Sequence, residues 1–227
     1  MVYFMNIKQR IKQFVFSFVP LYWLAKTAQK CFQRSEKSEL IVENQGLARI
    51  HKDIVGTGNK LLIGTGNVLY DAKIRIHGLN NTIKFGEYVC VGPGCSFWIE
   101  GDNCVISIGD KTSFTMGVHF CVQENGMEIK VGDDCMFSNS IIVRTSDSHP
   151  IYDENNIRIN PAKDVHIGNH VWVAPNTKVM KGVCIGDGTI IGSDTMVTKD
   201  IPGNSCAVGH PAKVVKSNIK WTRDQVF

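Results

Sequence analysis

The sequence lacks the features that mark several large functional classes. Its 8 cysteines include no CxxC pair and no zinc-finger spacing, so we expect reduced, mostly buried thiols rather than a disulfide framework. The net charge of +4 is too small to indicate nucleic-acid binding, and none is expected. The apolar run at 14–25 is too short to span a bilayer and contains Pro20. These features are typical of a globular cytoplasmic protein.

The N-terminal segment, residues 1–40, has a different composition from the rest of the chain. Lys8, Arg10 and Lys12 precede the aromatic-rich run, and the pattern predicts an amphipathic helix near residues 4–34. One interpretation packs this helix on the remaining protein or on a neighbouring subunit. A second lays it on the inner face of the membrane as a peripheral contact. A cleaved signal peptide is a third, although 25–28 makes a poor cleavage site.

The region from Ile167 to Pro202 repeats with a period of six residues. The first position of each repeat is β-branched, and so is the fifth, whereas Gly, Asn and Asp fall between them. This period fits a short strand plus a corner, and it predicts a solenoid in which three flat sides make one coil. The first positions are Ile167, Val173, Val179, Ile185, Ile191 and Val197, and the fifth are Val171, Thr177, Val183, Thr189, Thr195 and Ile201.

Upstream, the repeat continues with one side of each coil lengthened. The segments 74–86, 97–109 and 120–132 align with one another at a constant interval, and 59–64 begins the series one residue short. Each has a turn-prone centre between alternating apolar residues, so we expect two extended pieces around a turn. These sides serve core and surface, or alternatively contact substrate. The segment 144–166 breaks the rhythm and is predicted to be a protruding loop that rejoins the coils in register, because Val143 and Ile167 are separated by a whole number of six-residue repeats.

The ordered motifs resemble the hexapeptide-repeat acyltransferases, in particular the galactoside and maltose acetyltransferases and the acetyltransferases of bacterial surface-polysaccharide assembly. The matching text is 146-SDSHPIYD-153, Arg158, 160-NPAK-163, 167-IGNHVWVAP-175, 182–202, 207-AVGHPAKVVK-216 and the terminal Ile-Lys-Trp at 219–221. The resemblance implies an all-β fold, a left-handed parallel β-helix, over residues 41–215 with a short tail at 216–227. It also implies a homotrimer.

The resemblance makes His149 the catalytic base. A sugar hydroxyl is a poor nucleophile at neutral pH, and imidazole is the side chain suited to accept its proton. His149 would then return that proton to the departing thiolate. Asp147 or Asp153 would orient the imidazole, unless both are turn residues. Trp172 lies where relatives place a tryptophan beside the acetyl or acceptor site, or else is a corner aromatic or trimer contact; His119 is a candidate acceptor contact.

The co-substrate implied by the resemblance is acetyl-CoA. By position, its pantetheine arm would contact Ala174, Ser193 and Thr198, where small side chains allow close approach to the backbone. The phosphates would contact lysines, although each of these is alternatively a solvated surface charge. The lysines are Lys199, Lys213 and Lys216.

Other functions remain open at this point. The γ-type carbonic anhydrases share this fold and bind zinc through histidines, so in this alternative the candidate ligands are His119, His149, His166 and His170. No metal is expected here, because the C-terminal motifs are acyltransferase-like. A non-enzymatic solenoid would present an uninterrupted threonine face. Within the acyltransferases, an O-acetyltransferase for a carbohydrate acceptor is favoured over an N-acetyltransferase of an amino-sugar nucleotide. Polymer, lipid-linked and nucleotide-sugar acceptors are all compatible with the sequence.

Overall fold

A computed structural model describes residues 39–42 and 47–225 of the chain. These residues belong to one compact unit, Ser38–Phe227. They form an all-β, parallel solenoid, as predicted. The helix expected near residues 4–34 lies outside the described residues. Within 39–42 and 47–225 there is no helix that is long and apolar enough to cross a membrane.

The described residues form the solenoid from short strands. The first eleven are β1 (Glu39–Val42), β2 (Leu47–Val55), β3 (Lys60–Ile63), β4 (Val68–His77), β5 (Thr82–Phe85), β6 (Cys90–Val91), β7 (Ser96–Glu100), β8 (Val105–Ile108), β9 (Ser113–Met116), β10 (His119–Gln123) and β11 (Glu128–Val131). The others are β12 (Met136–Asn139), β13 (Ile142–Arg144), β14 (Val165–Ile167), β15 (Trp172–Val173), β16 (Lys178–Val179), β17 (Cys184–Ile185), β18 (Ile190–Ile191), β19 (Met196–Val197), β20 (Ser205–Gly209) and β21 (Ala212–Ser217).

Parallel pairing between successive coils arranges these strands in three faces. Face A contains β1, β3, β5, β8, β11, β14 and β17. Face B contains β6, β9, β12, β15, β18 and β20, and face C contains β7, β10, β13, β16 and β19. The long strand β4 pairs with β2, bends at Asp71, a residue with φ of 58°, and contributes to both B and C. Only β20 and β21 pair antiparallel, among the pairs that join described strands.

The six-residue period places its apolar positions inside the prism. All twelve first and fifth positions between Ile167 and Ile201 are buried. Their equivalents stack from coil to coil, as in the pairing of Val131 with Ile167 and of Ile167 with Ile185. A single short coil has too few neighbours to bury these side chains, so stacking supplies the core.

Coil length determines which side chains fill the core. The upstream coils are longer than the later ones, as the pairing of Phe85 with Ile108 and of Ile167 with Ile185 shows. The two extended pieces of each upstream segment, such as β7 and β8, lie on different faces, C and A, so the expectation of one lengthened side was wrong. Each piece pairs with its equivalents in adjacent coils. The resulting wider cross-section is filled by five buried rings, and the narrower C-terminal coils contain Val, Ile and Thr. The rings belong to Phe85, Phe97, Phe114, Phe120 and Phe137.

The segment that breaks the repeat leaves the solenoid after β13 and returns at β14. Val131 and Ile167, which precede and follow this segment in the chain, are paired with each other on face A. The excursion therefore adds one loop without shifting the register, as predicted. Beyond β21, Ile219, Trp221 and Arg223 contact the solenoid again. Four cysteines, Cys95, Cys104, Cys121 and Cys135, are buried, whereas Cys90 and Cys184 are exposed; the seven described cysteines are free thiols.

Candidate active site

The loop containing His149 starts at the edge between faces C and A and is fastened at its base. Thr145 is buried, and its Oγ1 receives a hydrogen bond from the Gln123 backbone N–H at 3.0 Å. The Thr145 carbonyl accepts from Lys163 N–H at 2.9 Å, which joins the two ends of the loop. Arg144 donates to the carbonyl of Ser146 and to Ser148 Oγ, both at 2.6 Å. These hydrogen bonds therefore hold the base of the loop to the solenoid.

An ion pair between Glu124 and Arg158 closes the loop against the preceding coil. Arg158 donates from both terminal nitrogens to the Glu124 carboxylate, at 2.6 and 2.8 Å, and Ser146 Oγ donates to it at 2.8 Å. The hydrogen bonds from Arg158, followed by those from Ser146, outweigh burial and lower the pKa of Glu124 to about 2. Glu124 was not predicted as a site residue, since a carboxylate in a turn is commonplace in sequence.

Asn160 is the centre of the hydrogen-bond network around His149. It is 8% exposed, and its side-chain amide donates to the His149 carbonyl and to Asp147 Oδ2, each at 2.9 Å. Its Oδ1 accepts from Ile151 N–H at 2.6 Å. Asn160 thus fixes the backbone at His149 and Ile151 and also binds the side chain of Asp147. The predicted motif includes residues 160–163, but nothing in the motif shows this role.

Asp147, the predicted orienter of His149, has other partners in the structure. Its carboxylate accepts from Lys181 Nζ at 2.6 Å and from Asn160. The bond from Lys181, and then that from Asn160, hold the pKa of Asp147 below its ordinary value. Asp147 therefore acts on the His149 backbone through Asn160, and the described hydrogen bonds join neither Asp147 nor Asp153 to the imidazole. Asp153 caps the turn at the loop tip by accepting from Asn155 and Ile157.

His149 itself is exposed at the loop surface. The preceding residue, Ser148, has a φ of 69°, and its Oγ donates to Gln123 Oε1 at 2.7 Å. An imidazole that is exposed while its backbone is fixed is accessible to a bound molecule without rearrangement of the chain. This combination suits a general base.

The outward side of face C carries a second group of polar and aromatic side chains. His119, the predicted acceptor contact, is partly buried in β10 with its Nδ1 2.7 Å from Ser96 Oγ. Burial, and next the charge of Arg144, lower the pKa of His119. Its ring meets that of Trp98 edge-to-face at 4.8 Å, and the Arg75 guanidinium lies 5.1 Å from the centroid of the Trp98 ring. This group shares face C with Arg144, which contacts the loop.

The predicted acetyl-CoA contacts border face C in the later coils. Ala174 and Ser193 follow β15 and β18, at the edge between faces B and C. Thr198 and Lys199 follow β19, at the edge between C and A where the His149 loop starts. All except Ala174 are exposed. The remaining two predicted contacts, Lys213 and Lys216 in β21, are also exposed.

Trp172 projects outward from face B, in register with Met136 and Ile190. Its indole lies 5.9 Å from that of Trp221, at an angle of 46°. The structure thus places Trp172 and His149 on different parts of one chain, and the contacts among the described residues do not join them.

The other histidines also have separate positions. His166 Nε2 is 2.8 Å from Glu128 on face A, and His170 Nδ1 is 2.7 Å from Asp134 at the edge between A and B. Across the part of the chain that the structure describes, no three His, Cys, Asp or Glu side chains converge as metal ligands would.

A three-sided parallel solenoid with one histidine-bearing excursion defines a class of protein, the hexapeptide-repeat transferases. The bacterial transferase hexapeptide (six repeats) family matches residues 164–199. The polysialic acid O-acetyltransferase of Neisseria meningitidis is 38% identical over 179 residues, 75% of this chain and 78% of that protein. The chain therefore belongs to the hexapeptide-repeat acetyltransferase family, as its motifs predicted.

Two solved structures agree with this assignment. The polysialic acid O-acetyltransferase OatWY has a TM-score of 0.69 at 29% identity, covering 83% of this chain and 93% of that one. The polysialic-acid-specific acetyltransferase NeuO has a TM-score of 0.61 at 34% identity, covering 77% and 89%. By sequence, the polysialic acid O-acetyltransferase of Escherichia coli O1:K1 / APEC is 44% identical over 91 residues, 40% of this chain. That match spans only 30% of the E. coli protein.

Proposed function

We propose that this protein is an acetyl-CoA-dependent O-acetyltransferase that modifies a sugar hydroxyl of a bacterial surface polysaccharide or its precursor. The observation that carries the proposal is the interruption of the described coils at 144–166, which presents an exposed His149 on a backbone fixed by Asn160. Family membership supports the acetyl transfer. The named relatives, which act on polysialic acid, make a sialic acid polymer the first acceptor to test.

The reaction proposed is direct transfer. The neutral imidazole of His149 accepts the proton of the sugar hydroxyl while the hydroxyl oxygen attacks the thioester carbonyl. The tetrahedral adduct then collapses, the carbon–sulfur bond breaks, and the imidazolium returns its proton to the CoA thiolate. The products are the acetyl ester and CoA thiol. Backbone N–H groups of the coils are the donors available for the oxyanion.

The exposed small residues and lysines that border face C support an acetyl-CoA site. Ser193 and Thr198 leave the backbone accessible to a pantetheine arm, and Lys199 supplies a positive charge for a phosphate near the loop. Lys213 and Lys216 supply two more at the end of face B. The thioester would then lie toward the His149 edge.

We further propose a cytoplasmic homotrimer with left-handed coils, as the family resemblance implies. His149 and Trp172 lie on different parts of one chain, so a shared site requires that they meet across a subunit boundary. The apolar side chains at the loop tip suit such a contact, because Ile151, Ile157 and Ile159 are exposed. A peripheral membrane contact through residues 1–40 is also proposed; it fails if deletion of 1–35 leaves liposome binding unchanged.

The test is release of CoA thiol from acetyl-CoA in the presence of a sialic acid polymer. We expect His149→Ala to abolish release while the thermal midpoint stays unchanged, because the side chain is exposed. The matched control is His166→Ala, an exposed histidine on face A, which should retain full activity. Activity that persists in His149→Ala would contradict the proposed base. Transfer to an amino-sugar nucleotide instead of to the polymer would favour the N-acetyltransferase alternative.

A further inference from the structure

The C-terminal segment turns back along the edge between faces A and B. Asn218 has a φ of 57°, and the next residue, Ile219, donates its N–H to the Asn204 carbonyl at 2.9 Å in the last coil. At the other end, Arg223 donates to the Asp134 carboxylate at 2.7 Å. Arg223 also donates to Ser113 Oγ and to the carbonyls of Lys111 and Cys135. The segment is therefore anchored at both ends, several coils apart.

Between these anchors, Trp221 packs against His170. The two rings are stacked, with centroids 3.9 Å apart and an interplanar angle of 11°. Trp221 Nε1 donates to the His170 carbonyl at 3.0 Å, and Trp221 O lies 3.0 Å from His170 Nε2. His170 Nδ1 faces Asp134. Both ring nitrogens of His170 thus have partners, which hold the ring in place against Trp221.

The Asp134 carboxylate links this stack to Arg223. Burial raises the pKa of Asp134, but the hydrogen bonds from His170 and Arg223 outweigh it and hold the pKa below its ordinary value. His170 adopts a φ of 52°, a left-handed conformation unusual for a residue other than glycine. The corresponding corners of the adjacent coils, at Asp134 and Gly188, are left-handed too, so this conformation belongs to the corner of the coil.

Trp221 also contacts Trp172, the tryptophan assigned by resemblance to the acetyl or acceptor site. Trp221 is only 9% exposed although its neighbours Lys220 and Thr222 are exposed. It approaches Trp172 from the edge between faces A and B. Ala174, a predicted pantetheine contact, follows β15 on the opposite side, at the edge between B and C. Trp172 therefore has one side against the C-terminal segment and the other toward the expected co-substrate.

From this geometry we infer that Trp221 is a positioning residue that holds Trp172 at the acyl-transfer site. The C-terminal segment would then line that site through Trp221. The inference rests on the proposed function, because it takes Trp172 to border the reacting groups. Trp221 is itself held by its stack on His170, so its tilted contact with Trp172 restrains that indole from rotating away when the co-substrate binds on the other side.

The experiment compares Trp221→Ala and Trp221→Phe with Lys220→Ala, an exposed neighbour that serves as the matched control. We expect Trp221→Ala to lower kcat by about tenfold with KM for the acceptor within about twofold of wild type. Trp221→Phe retains a ring for stacking and should recover most of the activity, and Lys220→Ala should match wild type. Unchanged kcat in Trp221→Ala would overturn the inference.

Combining each change with Trp172→Ala distinguishes positioning from a general structural effect. If Trp221 acts through Trp172, Trp221→Ala should cause no further loss of kcat in the Trp172→Ala background. The same fold-loss in both backgrounds would show that Trp221 acts elsewhere. If the wild-type protein transfers no acetyl group, the proposed function has failed. The contact is then judged from 5-fluorotryptophan NMR, where the Trp172 resonance should shift in Trp221→Ala, and an unchanged resonance would refute it.

Discussion

Asn160 provides the sharpest test of how the loop is held. The substitution Asn160→Asp preserves size and the acceptor for Ile151 N–H, but it replaces the amide donor with an oxygen that faces Asp147 and the His149 carbonyl. One lost bond has a charged acceptor, worth about 1.5–3 kcal/mol, and the other a neutral one, worth about 1 kcal/mol. Because Asp147 keeps its bond from Lys181, we expect the free energy that stabilises the ordered conformation of the loop to fall by about 2–3 kcal/mol.

This loss should appear in catalysis because the bonds fix the backbone of His149. Since about 1.4 kcal/mol corresponds to a factor of ten, we expect kcat for acetyl transfer to fall by about 10- to 100-fold. The thermal midpoint of the solenoid should change little, because the loop lies outside the stacked core. Steady-state kinetics with a sialic acid polymer and differential scanning calorimetry provide the two measurements.

The reciprocal double variant Asp147→Asn/Asn160→Asp is the matched control. It exchanges donor and acceptor, so the amide at 147 can donate to the carboxylate at 160 and the lost pairing returns. We expect it to exceed Asn160→Asp in kcat, with an interaction free energy that measures this one contact. A wild-type kcat in Asn160→Asp, or a double variant with no more activity than the two single losses predict, would refute the reasoning.

Two further predictions concern the loop clamp and the core. Glu124→Gln removes the carboxylate that Arg158 binds and should lower the thermal midpoint at pH 7 only slightly, because the pair is partly exposed and holds the loop rather than the stacked core. Folding lowers the pKa of Glu124 from about 4.5 to about 2, so the stability that the ionised carboxylate provides is fully present above pH 4.5 and is lost as the pH falls toward 2. The thermal midpoints of the variant and the wild type should therefore converge near pH 2. Phe114→Ala should lower the free energy of unfolding by about 3–5 kcal/mol, measured by denaturant titration. Leu79 is exposed, so Leu79→Ala should lower it little. Similar losses for both variants would contradict the assigned core.

The fold was predictable because its core is periodic in sequence. Each first and fifth position packs against its own equivalent one coil away. The six-residue pattern that repeats from Ile167 onward therefore specifies both the strands and their stacking. The wider upstream coils were predictable for the same reason, since the constant interval between their aligned segments is the length of one coil. Handedness does not follow from this spacing, because either hand gives the same inward positions.

The contacts around the candidate site could not be predicted in the same way. Asn160 and Lys181 contact Asp147, and Trp221 contacts His170, although the partners are separated in the chain and none of them occupies a first or fifth position of the repeat. No period marks such pairs, and each residue type is ordinary at a surface. The motif around His149 predicted the location of the candidate site. Only the folded chain shows that Asn160, not Asp147, contacts the His149 backbone.

The proposed reaction places the His149 imidazole beside a thioester that lies along the neighbouring edge of the solenoid. A crystal structure of the protein with CoA would test this placement. We expect the CoA sulfur to lie within about 3–4 Å of a His149 ring nitrogen, or to be bridged to it by one water. A CoA molecule bound in full occupancy with its sulfur at a different face, out of reach of every His149 in the assembly, would contradict it.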